Sequence, residues 1–293
     1  MTKHSVIHLA LCLFSLLLVS GCINYTNAGV EKSGMSLEDE SLKKQEETSN
    51  YTDFRSSVGI STEDDISSIS IREDANLSEE DFPVISYSGY DVMYNWKYKI
   101  PKWVKYELLA SETDGPWSRK GLNFSPDPSI DLPQAENDDY RNSGWSRGHM
   151  APAGDFKWES QAMIETFYFT NCCPQNMSLN GGQWHTLEKK VREWANRYGS
   201  VIVFTGPLVW ENTYGSIGDN KVVVPDAFFK AVLAGDQSIA FVMYNRETNE
   251  NMRKCAMSVD ELEKLSGIDF FSELEDDKEN QIEATYTLKY WGL

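Results

Sequence analysis

Apolar and polar residues alternate over residues 103–109, which predicts a strand with one buried face. An aromatic run at 166–170 predicts a second strand. The apolar run 201–204 predicts a short buried strand that Gly206-Pro207 ends. Runs at 221–224, 228–233 and 239–244 continue the same sheet. Residues 180–198 read as the longest helix. Ser258 as N-cap, with Glu261 three residues on, forms a capping box that opens a shorter helix. Strands and helices intermingle without a repeat. Residues 83–293 therefore read as one α+β domain, a mixed or antiparallel β-sheet core with flanking helices. Lys230 interrupts its apolar run. Such a lysine either snorkels or faces a substrate, and the pattern alone gives it no place in a site.

The N-terminus follows another pattern. Lys3 and His4 precede an apolar run at 6–19, and Ser20-Gly21-Cys22 follows. A basic start, a short apolar core and small residues predict a secretory signal over 1–21. The run is short for a helix that spans a bilayer. Residues 18–22 also resemble a bacterial lipoprotein cleavage box. That resemblance implies a lipid on Cys22, a membrane anchor, and an exported protein at the periplasmic side or the cell surface. A mitochondrial leader is rich in arginine, and the first arginine here is Arg55. Residues 22–82 are rich in Ser, Glu, Asp, Asn and Thr and poor in aromatics, which predicts a disordered acidic tether.

Charge bears on partners. The formal net charge of −18 argues against passive nucleic-acid binding through a basic surface. More than half of that charge falls within 23–85, so the objection is weaker for the domain itself. Cysteines bear on redox state. Cys12 and Cys22 fall on the signal and its cleavage box, leaving Cys172, Cys173 and Cys255, an odd number. Export would permit a disulfide to Cys255, with its partner open. No Cys or His spacing fits zinc.

Candidate chemistry is sparse. His4 and His8 belong to the signal, so His149 and His185 are the histidines of the domain. A general base near neutral pH is most often histidine. His185 sits about 100° around the helix from Asn180 and reads as a surface residue. His149 ends Ser146-Arg147-Gly148-His149, where the arginine offers a planar fork for phosphate oxygens and the glycine lets the backbone bend. A lone histidine is commonly structural, so this motif needs a second half. Asn180, Trp184, Glu188 and Arg192 recur every four residues and form one stripe on the predicted helix. The stripe offers an amide oxygen, a carboxylate and a guanidinium. That set suits Mg²⁺, which takes oxygen ligands and keeps most of its waters. It also suits a plain solvated face with a Glu188–Arg192 pair.

Asp139-Tyr140, the stretch from Ser143 through Ser146-Arg147-Gly148-His149 to Pro152, and Leu179-Asn180 through Trp184 to Glu188 resemble the DNA/RNA non-specific endonuclease family. The resemblance runs from about residue 85 to 280 and takes in Arg119, Asp127, Thr205-Gly206-Pro207 and Phe228-Phe229-Lys230. It implies an endonuclease G-like nuclease with a ββα-metal active site. His149 would be the general base and Asn180 the one direct protein ligand of Mg²⁺, with Mn²⁺ able to substitute. Glu188 would orient metal-bound water, and Arg119, Arg147 and Arg192 would hold phosphate. The products would carry 5′-phosphates, from DNA, RNA or both. Most of the family begins the motif with Asp. Ser146 resembles the mitochondrial endo/exonuclease branch, and a serine lacks the carboxylate's charge for positioning its neighbours. Rival readings are an inactive surface-anchored nucleic-acid or protein binding module on the same fold, and a hydrolase of smaller phosphodiesters. A homodimer is left open.

Overall fold

The structure is a computed structural model that describes residues 82–210, 212–248 and 250–293. The expected signal, the Cys22 lipid site and the acidic tether, but for its last residue, lie outside the described residues. Among the described residues no helix is long and apolar enough to cross a membrane.

Seven strands form one antiparallel sheet: β1 (Val84–Ser86), β2 (Asp91–Asn95), β3 (Ile100–Leu109), β6 (Ser200–Leu208), β9 (Ala227–Ala234), β10 (Gln237–Tyr244) and β11 (Ala256–Met257), in that spatial order. Two smaller ribbons stand apart, β4 (Ser146–His149) with β5 (Cys172–Gln175), and β7 (Ser216–Ile217) with β8 (Val222–Val223). The α+β class and antiparallel core agree with the sequence pattern.

Both faces of the sheet are covered, so the interior strand β9 is buried at every residue. Successive side chains of a strand point to opposite faces. On β9, Phe228 and Val232 enter one apolar cluster, while Phe229, Ala231 and Leu233 enter the other. The first cluster is closed by Leu187, Val191 and Trp194 of the long helix, and the β4–β5 ribbon lies on this side. The second is closed by Val259, Leu262 and Leu265 of a helix at Val259–Ser266 and by Ile282 of the next, at Asp276–Glu283. In order of occurrence, α1 is Asn137–Tyr140, α2 Ser160–Glu165, α3 His185–Tyr198, α4 Val259–Ser266 and α5 Asp276–Glu283. The predicted capping box is present on α4: Ser258 Oγ accepts from Glu261 N, and Glu261 accepts from Ser258 N. Gly267 follows at φ 65°, a left-handed stop that suits glycine.

Four expectations need correction. The run 166–170 is not a strand. Thr166 N–H bonds the carbonyl of Ala162, Thr166 Oγ1 bonds that of Met163, and Phe169–Asn171 forms a helical turn. Its rings are buried by tertiary packing instead, and the strand begins at Cys172. Gly206-Pro207 does not end β6. Pairing with β3 stops at Thr205, so Pro207 needs no N–H on that side, and β6 continues against β9 to Leu208. A Cβ at Gly206 would lie 2.5 Å from the carbonyl oxygen of Lys102, so only glycine lets the strands approach there. Val222–Val223 joins β7 rather than the main sheet. Finally, the regular helix begins at His185. Residues Asn180–Trp184 form a π-turn with Gly182 at φ −108°, ψ −108°.

Candidate active site

The chain builds the site from a hairpin and the helix that follows it. Ser146 pairs with Gln175, Gly148 with Cys173 and His149 with Cys172. Gly148 is required there, because a Cβ would sit 2.2 Å from Gln175 Oε1. At the exit of β5, the Asn176 side chain accepts from Ser178 N and Leu179 N and starts a helical turn. Asn245, fully buried, ties this exit down. Its Nδ2 donates to the carbonyls of Pro174 and Pro225, and its Oδ1 accepts from Asn176 N. The π-turn then places Asn180, and α3 carries Glu188 and Arg192.

His149 is wedged between two rings, Phe124 at 4.7 Å and Phe167 at 5.0 Å between centroids. It is 9% exposed, and its buried Nε2 has no hydrogen-bond partner. Burial, and then the charge of Arg119, push its pKa down to about 3. It is therefore neutral at neutral pH. The Arg119 guanidinium lies over the ring of the same Phe167, 5.5 Å from its centroid. Arg147, two residues before His149, shares its face of the hairpin. Arg147 stacks on Tyr140 at 5.0 Å and donates from Nη2 to the Asn137 carbonyl at 2.9 Å.

Asn180 is joined to the hairpin through Ser146. Asn180 Nδ2 donates to Ser146 Oγ at 3.0 Å, and Ser146 Oγ donates to the Gln175 carbonyl at 2.7 Å. The amide is thus oriented, and its Oδ1 has no hydrogen-bond partner among the described residues. A neutral hydroxyl thus orients the amide at the position where most of the resembled family carries Asp.

Glu188 is buried to 9% exposure and touches His185 Nδ1 at 3.4 Å. His185 is exposed, as expected of a surface residue. Burial raises the Glu188 pKa, against the pull of Lys230, Arg192 and Arg119. Arg192 does not pair with Glu188. Its Nη1 binds Asp155 Oδ1 at 2.5 Å, and Asp155 Oδ2 accepts from Tyr106 at 2.9 Å. Asp155 is fully buried. Burial pushes its carboxyl up, and Arg192 and Tyr106 pull it back.

Sequence reasoning missed Asp155, Tyr106 and the place of Lys230. Asp155 lies 37 residues from Arg192, so no helical or strand spacing points to the pair. One signal existed, an acid set between Ala153 and Phe156 in an otherwise apolar stretch. For Lys230 the signal was the interrupted strand. The cysteines correct another expectation. Cys172, Cys173 and Cys255 are all free and buried, so Cys255 forms no disulfide among the described residues.

Asn180 Oδ1, oriented by Ser146, and the Glu188 carboxylate on the helix that follows are hard oxygen donors. They fit a cation such as Mg²⁺ that binds one or two protein oxygens and retains its water. A pocket of about 290 Å³ beside Arg119, lined also by Trp117, Gly154 and Lys157, offers an aromatic and cationic approach.

Two paired antiparallel strands that deliver a histidine, followed by a turn and helix that deliver an amide oxygen and a carboxylate, define the ββα-metal class of nuclease folds. The family model for DNA/RNA non-specific endonucleases matches residues 70–277, and the chain belongs to that family. Human mitochondrial nuclease EXOG is 36% identical over 228 residues, which is 69% of this chain and 62% of the relative. Human mitochondrial endonuclease G is 34% identical over 202 residues, 63% of this chain and 68% of the relative. The chain thus matches somewhat under two thirds of the length of EXOG. The crystal structure of the EndoG/EndoGI complex superposes with a TM-score of 0.62 at 31% identity, covering 67% of this chain and 88% of that one.

These relatives correct the expected location. The chain resembles nucleases named as mitochondrial, including one from fission yeast, and not exported bacterial lipoproteins. A basic residue, an apolar run and small residues are features that several targeting classes share, so they did not discriminate between them. The membrane partner through a lipidated Cys22 falls with that expectation.

Proposed function

We propose that the chain is a magnesium-dependent nuclease that hydrolyses phosphodiester bonds of DNA, RNA or both with little sequence specificity, leaving 5′-phosphates. One observation carries this reading. The hairpin that holds a neutral, ring-clamped His149 next to Arg119 also holds Asn180, through Ser146, with its amide oxygen free. His149 accepts a proton from water through its imidazole as the water attacks phosphorus. Because burial and Arg119 keep the ring uncharged, it is in the base form at neutral pH. Asn180 would hold the metal through Oδ1, and Glu188 would orient water beside it. Bound there, Mg²⁺, or Mn²⁺ in its place, would supply charge neutralisation at the scissile phosphate. Arg119, Arg147 and Arg192 spread the remaining negative charge over donors fixed in advance by Phe167, Tyr140 and Asp155.

The test is plasmid and RNA digestion by the purified protein with Mg²⁺ and with chelator. His149→Ala should lower turnover by about 10²–10⁴ while circular dichroism stays native. Wild-type turnover from that variant would sink the assignment. The acidic net charge leaves a second reading, a protein-binding module without turnover on the same fold. In that case no metal supports cleavage of either nucleic acid.

A further inference from the structure

Helices α4 and α5 close the sheet face opposite the proposed chemistry, and carboxylates from both meet there. Asp260 and Glu263 stand three apart on α4, so they share one side of that helix. Glu283 is the last residue of α5. One carboxylate oxygen from each of the three lies within 4.8 Å of the other two. The group is held in place from outside. Glu263 Oε1 accepts from Phe270 N at 2.8 Å, and Ser238 Oγ of β10 donates to the Ile282 carbonyl at 2.9 Å, beside Glu283.

Glu283 distinguishes this group from a solvated acidic surface. It is 3% exposed, and its Oε1 is buried with no hydrogen-bond partner. Glu279 Oε1, one turn earlier on α5, is also buried without a partner. Buried carboxylates are paired with a cation, bound to a metal, or neutralised by a proton. Among the described residues no lysine or arginine forms an ion pair with Asp260, Glu263 or Glu283. The charges that act most on Glu283 are Glu263, Glu279, Asp260 and Asp269, all of its own sign. Its place in the last turn of α5 adds the negative end of a helix dipole. Every local field at Glu283 therefore favours a positive occupant.

We infer that Asp260, Glu263 and Glu283 form a structural Ca²⁺ site that clamps α5 to α4, separate from the hydrolytic site. Three carboxylates from two helices suit Ca²⁺, which takes about 6–8 oxygens in flexible geometry and accepts bidentate carboxylates. Mg²⁺ demands a near-ideal octahedron. Asp260 and Glu263 are half-buried, so water completes the shell on their side. The inference is independent of the nuclease reading.

The test is isothermal titration of the chelator-stripped protein with CaCl₂ in an Asn180→Ala background, which removes the amide proposed to hold metal at the hydrolytic site. A proton is the competing occupant, because burial and then the neighbouring acids push the Glu283 pKa up to about 8. Titration at about pH 8.5 therefore favours the cation. The parent should bind one Ca²⁺ per chain, more tightly than Mg²⁺. Adding Glu283→Gln, which keeps the side-chain shape and removes a repelled charge, should weaken binding tenfold or more. Ca²⁺ at about 100 times its Kd should raise the parent's Tm by roughly 5–10 °C and leave that of the Glu283→Gln protein nearly unchanged. If Glu283→Gln fails to fold, Asp260→Asn takes its place with the same expectation. Absence of binding by the parent at about 10 mM Ca²⁺, beyond the weakest class of protein calcium sites, overturns the inference. Equal binding by parent and variant, or equal affinity for Mg²⁺, also overturns it. If the protein cleaves no nucleic acid, the nuclease reading fails by itself and this titration still decides the Ca²⁺ site.

Discussion

Asp155→Asn tests the buried polar network most directly. The substitution keeps the shape and leaves an acceptor for Tyr106, but it removes the charge opposite Arg192. Breaking a buried ion pair by neutralising one partner costs about 3–5 kcal/mol, because the other charge stays behind. The Arg192 side chain keeps 19% exposure, so water compensates in part and the lower end applies, about 3 kcal/mol. Asp155→Ala also strands the Tyr106 hydroxyl, adding about 1 kcal/mol. For a domain of this size, about 3 kcal/mol lowers Tm by roughly 6–12 °C. Urea unfolding of wild type, Asp155→Asn, Arg192→Met and the double variant measures this. The midpoint should fall with m unchanged, and the double variant should lose clearly less than the sum of the singles. A loss under about 1 kcal/mol for Asp155→Asn, or simple additivity, would refute the view that this pair is a coupled buried unit.

Ser146→Ala removes the acceptor that orients the Asn180 amide; we expect weaker Mg²⁺ binding by isothermal titration with little change in Tm, whereas Ser146→Thr should retain affinity. Glu283 is buried among Glu263, Glu279, Asp260 and Asp269, and burial followed by those like charges pushes its pKa up to about 8. The folded state therefore holds a proton that the unfolded chain releases above about 4.5, so that stabilisation is full below this value and is lost as pH rises through 8. Tm should fall from pH 5 to 8, and Glu283→Gln should flatten that slope. Burial pushes the Cys172 and Cys255 thiols up to about 12 and Cys173 well above its ordinary value; a thiol reagent should label none of the three in the native state, and reductant should leave Tm unchanged.

Local chemistry made part of this fold legible. The apolar runs at 103–109, 228–233 and 239–244 lie within β3, β9 and β10, because each has a partner on both sides and its periodicity matches its burial. The Ser258–Glu261 box is self-contained and reads correctly from four residues. The run at 166–170 has the same composition as a strand, but it finds only a single bridge, from Tyr168 to Ser125, and partner availability is not written in a local pattern. The helix start failed for a related reason. A stripe at spacing four assumes an unbroken helix, and Gly181-Gly182 permits the π-turn that carries Asn180. In the site, the hairpin and the helix were visible as motifs. The Asp155–Arg192–Tyr106 network and the seat of Lys230 were not, since both depend on contacts across three or more elements.

The sheet with two unlike faces has a consequence for reading natural variation in this gene. Proposed chemistry lies on the face under α3, while α4 and α5 close the other. A substitution at Leu262, Phe270 or Ile282 lowers the amount of folded protein a cell keeps, and each surviving molecule still works at full speed. One at Phe124 or Phe167, whose rings are packed in the core and also clamp His149, would on the proposed chemistry both lower abundance and slow each molecule that folds. Alleles of the first kind would respond fully to a chaperone or a lower growth temperature, and alleles of the second only in part.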